Sequence, residues 1–198
     1  MNDSLVLASA SPRRLQLLQQ MGLTCDVLPV DLDESTRANE DPADYVARLA
    51  REKSAACQAL IKDLRPVLAA DTSVVLDDQI LGKPTDHFDA LAMLARLSGR
   101  EHRVLTAVCL RSGAEIYECL SETLVQFVVL NRDQCEAYLA TDEPWDKAGA
   151  YGIQGRAGAF VERIVGSYSG VVGLPLAQTW QLLQDAGIST GLDGIPRE

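Results

Sequence analysis

Runs of apolar residues and stretches of helical spacing follow one another along this chain. Leu5, Val6, Leu7 and Ala8 are uninterrupted by polar residues and read as a short buried strand. The pattern then switches to helical spacing in Leu15-Gln16-Leu17-Leu18-Gln19-Gln20-Met21, with Gly22 as the stop. Ser11 suits the cap of that helix and Pro12 its first position. Residues 24–30 read as extended, and residues 31–41 as a polar, acidic loop. Asp41-Pro42 opens a long helix whose inward face is predicted as Tyr45, Leu49, Ala56 and Leu60. Val67-Leu68-Ala69-Ala70 is a buried strand with Asp71-Thr72 at its end. Ser73-Val74-Val75-Leu76 follows, and Asp77-Asp78 marks a turn.

The loop Leu81-Gly82-Lys83-Pro84 leads into a helix over 86–98 with Leu91, Leu94 and Leu97 inward and Gly99 as its stop. Extended runs over 102–111 and 117–129 flank Ser112-Gly113-Ala114, a hairpin signal. Asn131 caps a helix to about residue 140. Glycines recur at 149, 152, 155 and 158, and a strand covers 159–165. Pro175 opens a last helix with Leu176, Trp180 and Leu183 inward, ended by Gly187, and the tail from about residue 188 reads as frayed. No repeat or linker divides the chain, so one α/β domain spans 1–198. Its sheet is mixed, because the hairpin breaks a purely parallel order. Functional loops belong at strand ends, where Ser9, Asp71 and Lys83 fall.

Composition narrows the class of ligand. Of 198 residues, 28 are acidic and 18 basic, giving a net charge of -10. That excess argues against a broad nucleic-acid or membrane-surface footprint, and any phosphate site must gather its cations locally. Apolar residues make up 47% and aromatics 5%, so the core is mainly aliphatic. The 5 cysteines show no C-x-x-C spacing and read as reduced thiols of a cytosolic protein. His87 and His102 read as surface or turn residues, too few for a histidine metal site. No secretory leader pattern and no run of membrane-spanning length occurs.

The chemistry concentrates first in Ser9-Ala10-Ser11-Pro12-Arg13-Arg14. Two hydroxyls and two guanidinium groups stand where a strand hands over to a helix. Free backbone N–H groups and the positive end of the helix dipole face the same place, which suits phosphate. Cations there are unfavourable unless an anion is near, although Ser11-Pro12 is also a sound helix start with no ligand. Further candidates are dispersed: Glu34 in the acidic loop, Lys53 on the second helix, Asp71-Thr72, Lys83, and Asp146-Lys147 ahead of the glycines. Phosphoanhydride hydrolysis needs these types. Cations offset shifting phosphate charge, one carboxylate deprotonates water, and another holds a divalent metal. Each also has an ordinary structural use: Lys53 as a surface lysine, Asp71 as a cap or turn acid, the glycines as tight turns. Spacing alone does not bring them together.

In order along the chain, several segments resemble the Maf family of nucleoside triphosphate pyrophosphatases. They are Leu7-Ala8-Ser9-Ala10-Ser11-Pro12-Arg13-Arg14, Leu49-Ala50-Arg51-Glu52-Lys53, Ala70-Asp71-Thr72, Leu81-Gly82-Lys83-Pro84, Leu97-Ser98-Gly99 and Asp142-Glu143-Pro144. Asp146-Lys147-Ala148-Gly149-Ala150-Tyr151-Gly152-Ile153-Gln154-Gly155, Gly166-Ser167-Tyr168 and Val171-Val172-Gly173-Leu174-Pro175-Leu176 complete the set. Ala10 and Ala70 stand where the family often has glycine. The resemblance runs over about 5–183 and is strongest to the branch acting on dTTP and UTP. It implies a mixed, twisted sheet with flanking helices, two lobes and a deep central cleft, similar to inosine triphosphate pyrophosphatases. It implies cleavage between the α- and β-phosphates to a monophosphate and pyrophosphate, and the clearing of non-canonical or surplus pyrimidine nucleotides. Asp71 is then the proton acceptor. Ser9, Arg13, Arg14, Lys53 and Lys83 hold the triphosphate, and Glu34 helps bind a divalent cation, magnesium or manganese. Arg13, Thr72 and Gln154 match positions linked to substrate choice; an amide both donates to and accepts from a pyrimidine edge. Lys147 fits either a phosphate contact or a brace for the glycine segment. A cytoplasmic homodimer is implied as well. The rivals are a 7-methyl-GTP pyrophosphatase and a non-catalytic, nucleotide-binding regulator of septum formation.

Overall fold

In the computed structural model, which describes residues 5–193, the apolar run over 67–70 begins the central strand of the molecule. The elements in order are β1 (Leu5–Leu7), α1 (Pro12–Gln20), β2 (Cys25–Val27), α2 (Pro42–Leu60), β3 (Val67–Leu76), β4 (Gln79–Leu81) and α3 (His87–Leu97). After them come β5 (Glu101–Ser112), β6 (Glu115–Phe127), α4 (Arg132–Leu139), β7 (Val161–Val165), α5 (Tyr168–Val172) and α6 (Leu176–Asp185). One sheet runs in the order β2-β1-β3-β5-β6-β7, with β4 also on β3. β1 pairs parallel with β2 and β3, and the remaining pairs are antiparallel. The sheet is therefore mixed.

β3 decides where the cleft opens. One edge is bonded to β5 continuously from Val67 to Val75. On the other edge β1 reaches only Val67 and Leu68, while β4 takes up at Val74. Residues 69–73 therefore have no strand partner on that side. Asp71 was expected at a strand end and instead lies mid-strand. The unbroken β5 ladder keeps the backbone extended, and the interruption is on the opposite edge. Because side chains alternate along a strand, neighbouring residues present opposite faces. Val67, Ala69 and Val75 pack on the face covered by α2 with Val46, Ala50 and Cys57. Leu68, Ala70, Val74 and Leu76 join the larger core under α1, α3, α4 and α6.

Asp41 caps α2 by accepting from the Ala43 N–H (2.8 Å), as its sequence predicts. Its inward stripe differs: Val46, Leu49, Ala50, Lys53, Ser54 and Cys57 are buried, whereas Leu60 is exposed. Hydropathy does not mark this stripe, because a lysine and a serine belong to it. Ser11 occupies the cap position of α1 but makes no side-chain cap bond. His102 is a further correction. It is buried in β5, with Nε2 2.8 Å from the Tyr151 hydroxyl and its ring edge-on to Phe127. Burial pulls its pKa down to about 4, so it stays neutral. The short elements β4 and α5 have too few residues to show a period and were not foreseen.

Residues 188–193 are not frayed. Thr190 is buried, and the Gly191 N–H donates to the Met21 carbonyl at 2.7 Å. Residues 194–198, the rest of the expected tail, lie outside the described residues. Gly22 permits this docking. It has φ +75°, and a Cβ there would sit 2.7 Å from Gly191 Cα. Gly187, at φ +68°, has open space around it. Gly22→Ala should cost about 2 kcal/mol, strain plus lost docking, and Gly187→Ala about 1 kcal/mol from strain alone. Urea unfolding of both variants measures this; equal costs would show that the Gly191 contact adds nothing.

Candidate active site

The gap beside β3 opens into a cleft of about 800 Å³, and every predicted site residue lines it. At its floor, Lys53 Nζ donates to Asp71 Oδ1 at 2.7 Å and to Glu34 Oε1 at 2.6 Å. The Lys53 and Asp71 side chains are only 11% and 10% exposed. Each would be costly to bury alone; together, each satisfies the other, and removing one partner typically costs about 3–5 kcal/mol. Asp71 is a strand residue opposite Lys53 on α2, so two rigid elements fix the pair. Its second oxygen has no partner among the described residues.

Glu34 comes from the acidic loop, which α2 holds in place. The Tyr45 hydroxyl donates to the Glu34 carbonyl at 2.8 Å, and Arg48 Nη2 to the Ser35 carbonyl at 3.1 Å. Arg48 also binds Glu40 through two bonds, at 2.5 and 2.7 Å. Burial raises the Glu34 carboxyl's pKa, but the Lys53 hydrogen bond and the charges of Lys53, Lys83 and Arg14 outweigh it and leave it below its usual value. Burial, with Asp71 and Glu34 nearby, pushes Tyr45 up to about 12, which keeps its hydroxyl a donor.

The paired arginines divide their work. Arg14 turns inward: Nε donates to the Gly173 carbonyl (2.8 Å), Nη1 to Ser9 Oγ (3.1 Å) and Nη2 to Thr72 Oγ1 (3.1 Å). It lines the cleft, as a phosphate cation should, and these three bonds also make it a strut between the end of β1, β3 and the end of α5. Thr72 Oγ1 also lies 2.9 Å from Thr106 Oγ1. Thr106 donates its single proton to the Gly170 carbonyl (2.8 Å), so Thr72 must donate to Thr106 and accept from Arg14. Ser9 Oγ accepts from Arg14 and from the Ser11 N–H (3.2 Å). With both lone pairs engaged, its own proton is left to donate into the cleft. Arg13 stays at the cleft wall, 3.4 Å from Asp146, which also pairs with Lys147 at 2.5 Å. Lys83 is exposed after β4 and makes no ion pair among the described residues.

Gln154 sits exposed on the opposite wall, in the glycine-spaced segment between two short 3-10 turns, Ala148–Ala150 and Arg156–Phe160. Gly149, at φ +69°, abuts Val74 of β3, where a Cβ would lie 3.0 Å from its side chain. Tyr45, Thr106 and Glu143 also serve this site, though the sequence pattern marks Tyr45 only as an inward helix residue and Thr106 only as part of an extended run. Glu143 had a signal in Asp142-Glu143-Pro144, ahead of the glycines; Tyr45 and Thr106 show their use only once folded.

A mixed α/β sheet interrupted by a cleft, with cations on its walls and a braced carboxylate at its floor, is the form of a phosphate-ligand site. The chain belongs to the Maf family: the family described as Maf-like protein matches residues 4–186. It is 53% identical over 192 residues to a dTTP/UTP pyrophosphatase of Shewanella oneidensis, covering 93% of this chain and 99% of the relative. It is 53% identical over 185 residues to a dTTP/UTP pyrophosphatase of Alcanivorax borkumensis, covering 93% and 96%. Among solved structures, the Ham1 protein of Staphylococcus aureus aligns with a TM-score of 0.46 at 14% identity, over 63% of this chain and 71% of that one.

The Arg48 hydrogen bonds hold the Glu40 carboxyl down to about 2. A depressed folded pKa stabilises fully above the unfolded value of about 4.3, and the effect fades as pH falls toward 2. The gap in melting temperature between the parent and Arg48→Met should be widest at pH 7 and narrow between pH 4 and 2. A gap independent of pH would show that the Glu40 pair adds nothing and that Arg48 acts through packing and its bond to the Ser35 carbonyl.

Proposed function

We propose that this chain hydrolyses nucleoside triphosphates at the α–β phosphoanhydride, preferring dTTP and UTP, and releases the nucleoside monophosphate and pyrophosphate. One observation carries the reading: Asp71, held by Lys53 at the cleft floor, faces a space walled by Arg13, Lys83 and the free Ser9 proton. Relatives of about half identical sequence, named dTTP/UTP pyrophosphatases, support the choice of substrate. The 7-methyl-GTP reading fits those names less well, and a binder without turnover gives no reason for a carboxylate beside an anionic ligand.

In this reaction the free oxygen of Asp71 takes a proton from water as the water oxygen bonds to the α-phosphorus. The bridging P–O bond to the β-phosphate breaks, and its electrons leave with pyrophosphate. Lys53 holds Asp71 in place through its hydrogen bond to Oδ1 and leaves the second oxygen towards the cleft. Arg13 and Lys83 offset the charge that grows on the leaving group, and Ser9 donates to a phosphate oxygen. Arg14 acts behind them by fixing the Ser9 hydroxyl. Clearing surplus or non-canonical pyrimidine nucleotides is the corresponding cellular task.

Glu34 and Asp71 already share one cation, the Lys53 ammonium, so their oxygens suit a hard divalent ion as well. Among the described residues no group of three or more such side chains could hold a metal unaided. Glu34, with phosphate oxygens completing the sphere, would hold magnesium or manganese. When bound, that ion would lower the negative charge on the phosphates. The reading extends to a homodimer in the cytoplasm acting on free nucleotides rather than on nucleic acid or membranes. The free thiols fit a reducing compartment, and no helix among the described residues is long and apolar enough to cross a membrane.

The test is pyrophosphate release over a panel of triphosphates, with magnesium or manganese, for the parent and Asp71→Asn. The parent should turn over dTTP and UTP fastest. The variant should bind them comparably and lose at least about 100-fold in kcat, the lower end of what a general base supplies. Undiminished turnover by the variant would remove Asp71 from the chemistry.

A further inference from the structure

We infer that Glu143 is the positioning residue for nucleobase selection, and that it acts by fixing the loop that carries Gln154. The inference rests on the pyrimidine triphosphate reading above and deepens it.

Gln154 is exposed on the cleft wall, and its side-chain amide makes no hydrogen bond among the described residues. Nothing but its backbone sets where that amide points. The backbone is anchored two residues to either side. On the far side, the Arg156 N–H donates to Glu143 Oε2 at 2.9 Å, and the Ala157 N–H reaches Oε1 at 3.4 Å. On the near side, the Gly152 N–H donates to the Tyr138 hydroxyl at 3.1 Å, and that hydroxyl donates onward to Glu143 Oε1 at 3.0 Å. One carboxylate thus gathers both flanks of Gln154.

The glycines show how closely the loop wraps this group. A Cβ on Gly155 would fall 2.3 Å from the Glu143 carboxyl atoms, and one on Gly152 would fall 2.7 Å from Lys147 Cε. Lys147 in turn donates to the Glu143 carbonyl. A carboxylate is required, because all its partners are donors and it only accepts. In Glu143→Gln, whichever way the amide turns, its NH2 faces a donor and at least one loop N–H loses its acceptor. The loop then loosens around Gln154, and the base edge meets an amide that is no longer placed.

The test compares Glu143→Gln, Gln154→Ala and the double variant, using kcat/KM for dTTP against dATP and the affinity of each nucleotide by calorimetry. Losing a placed hydrogen bond to the base should cut dTTP preference roughly tenfold or more in each single variant, mostly through KM. In the Gln154→Ala background, adding Glu143→Gln should change the preference less than about twofold, because the two act as one unit. Tyr138→Phe, which cuts only the Gly152 anchor and keeps the ring, should shift preference the same way by a smaller factor. It serves if Glu143→Gln does not fold. The inference is overturned if either variant folds and keeps parental preference, if kcat falls equally on both nucleotides, or if the two substitutions add independently. A parent protein that neither turns over nor prefers dTTP would instead count against the proposed function.

Discussion

The buried ion pair between Lys53 and Asp71 is the constraint from which the rest of the site follows. A carboxylate on a central strand has to be compensated, and among the described residues its direct ion-pair partner comes from the helix packed over that face. Lys53 therefore belongs to the inward stripe of α2, at a position where an apolar residue would serve packing better. Its single ammonium then recruits Glu34, and with it the acidic loop, which Tyr45 and Arg48 tie back to the same helix. A polar group at the heart of the sheet thus organises a loop of about ten residues. Two carboxylates converge where an anionic ligand needs a cation.

The same strand serves a second network through the next residue. Asp71 faces α2, while Thr72 faces Arg14 and Thr106 on the other side of the sheet. The strand edge between β1 and β4 is left open over a few residues, so both faces are reachable from one cleft. An internal chain of donors runs from Arg14 through Thr72 and Thr106 to the backbone of α5. It leaves one hydroxyl proton, that of Ser9, without an acceptor among the described residues. Fixing a donor's direction in advance spares that cost when ligand binds, and a network in which every member has its partner is rigid enough to do so.

Much of this was legible in the order of residues, for identifiable reasons. The strand-to-helix handover at 9–14, the Asp41 cap and the Asn131 cap are local signals, and local signals survive folding. The position of Asp71 was read as a strand end because an acid interrupts an apolar run. What holds it in mid-strand is β5, more than thirty positions later in the chain. The division of labour between Arg13 and Arg14 was likewise hidden. The two are identical in type and adjacent, and only the acceptors at Gly173 and Thr72, distant in sequence, separate a strut from a wall cation. The buried stripe of α2 escaped because hydropathy scores a lysine as outward even when it is paired.

The net charge of -10 makes the local arrangement more telling. A polyanion approaching this molecule meets an unfavourable overall field, so affinity has to come from within about one Debye length, ~8 Å at physiological ionic strength. The described cations divide accordingly. Lys53, Arg13 and Lys147 are already engaged with carboxylates of the cleft itself, and Lys83 stands free. An entering phosphate therefore meets cations whose positions are already set by Asp71, Glu34 and Asp146. It has to compete with these carboxylates, which penalises weak or singly charged anions. A triphosphate can engage several cations at once, and a divalent cation would relieve the carboxylates as it did so. Selection for a long, strongly charged phosphate chain follows from that competition, and selection for the base is left to the separate wall that Glu143 holds.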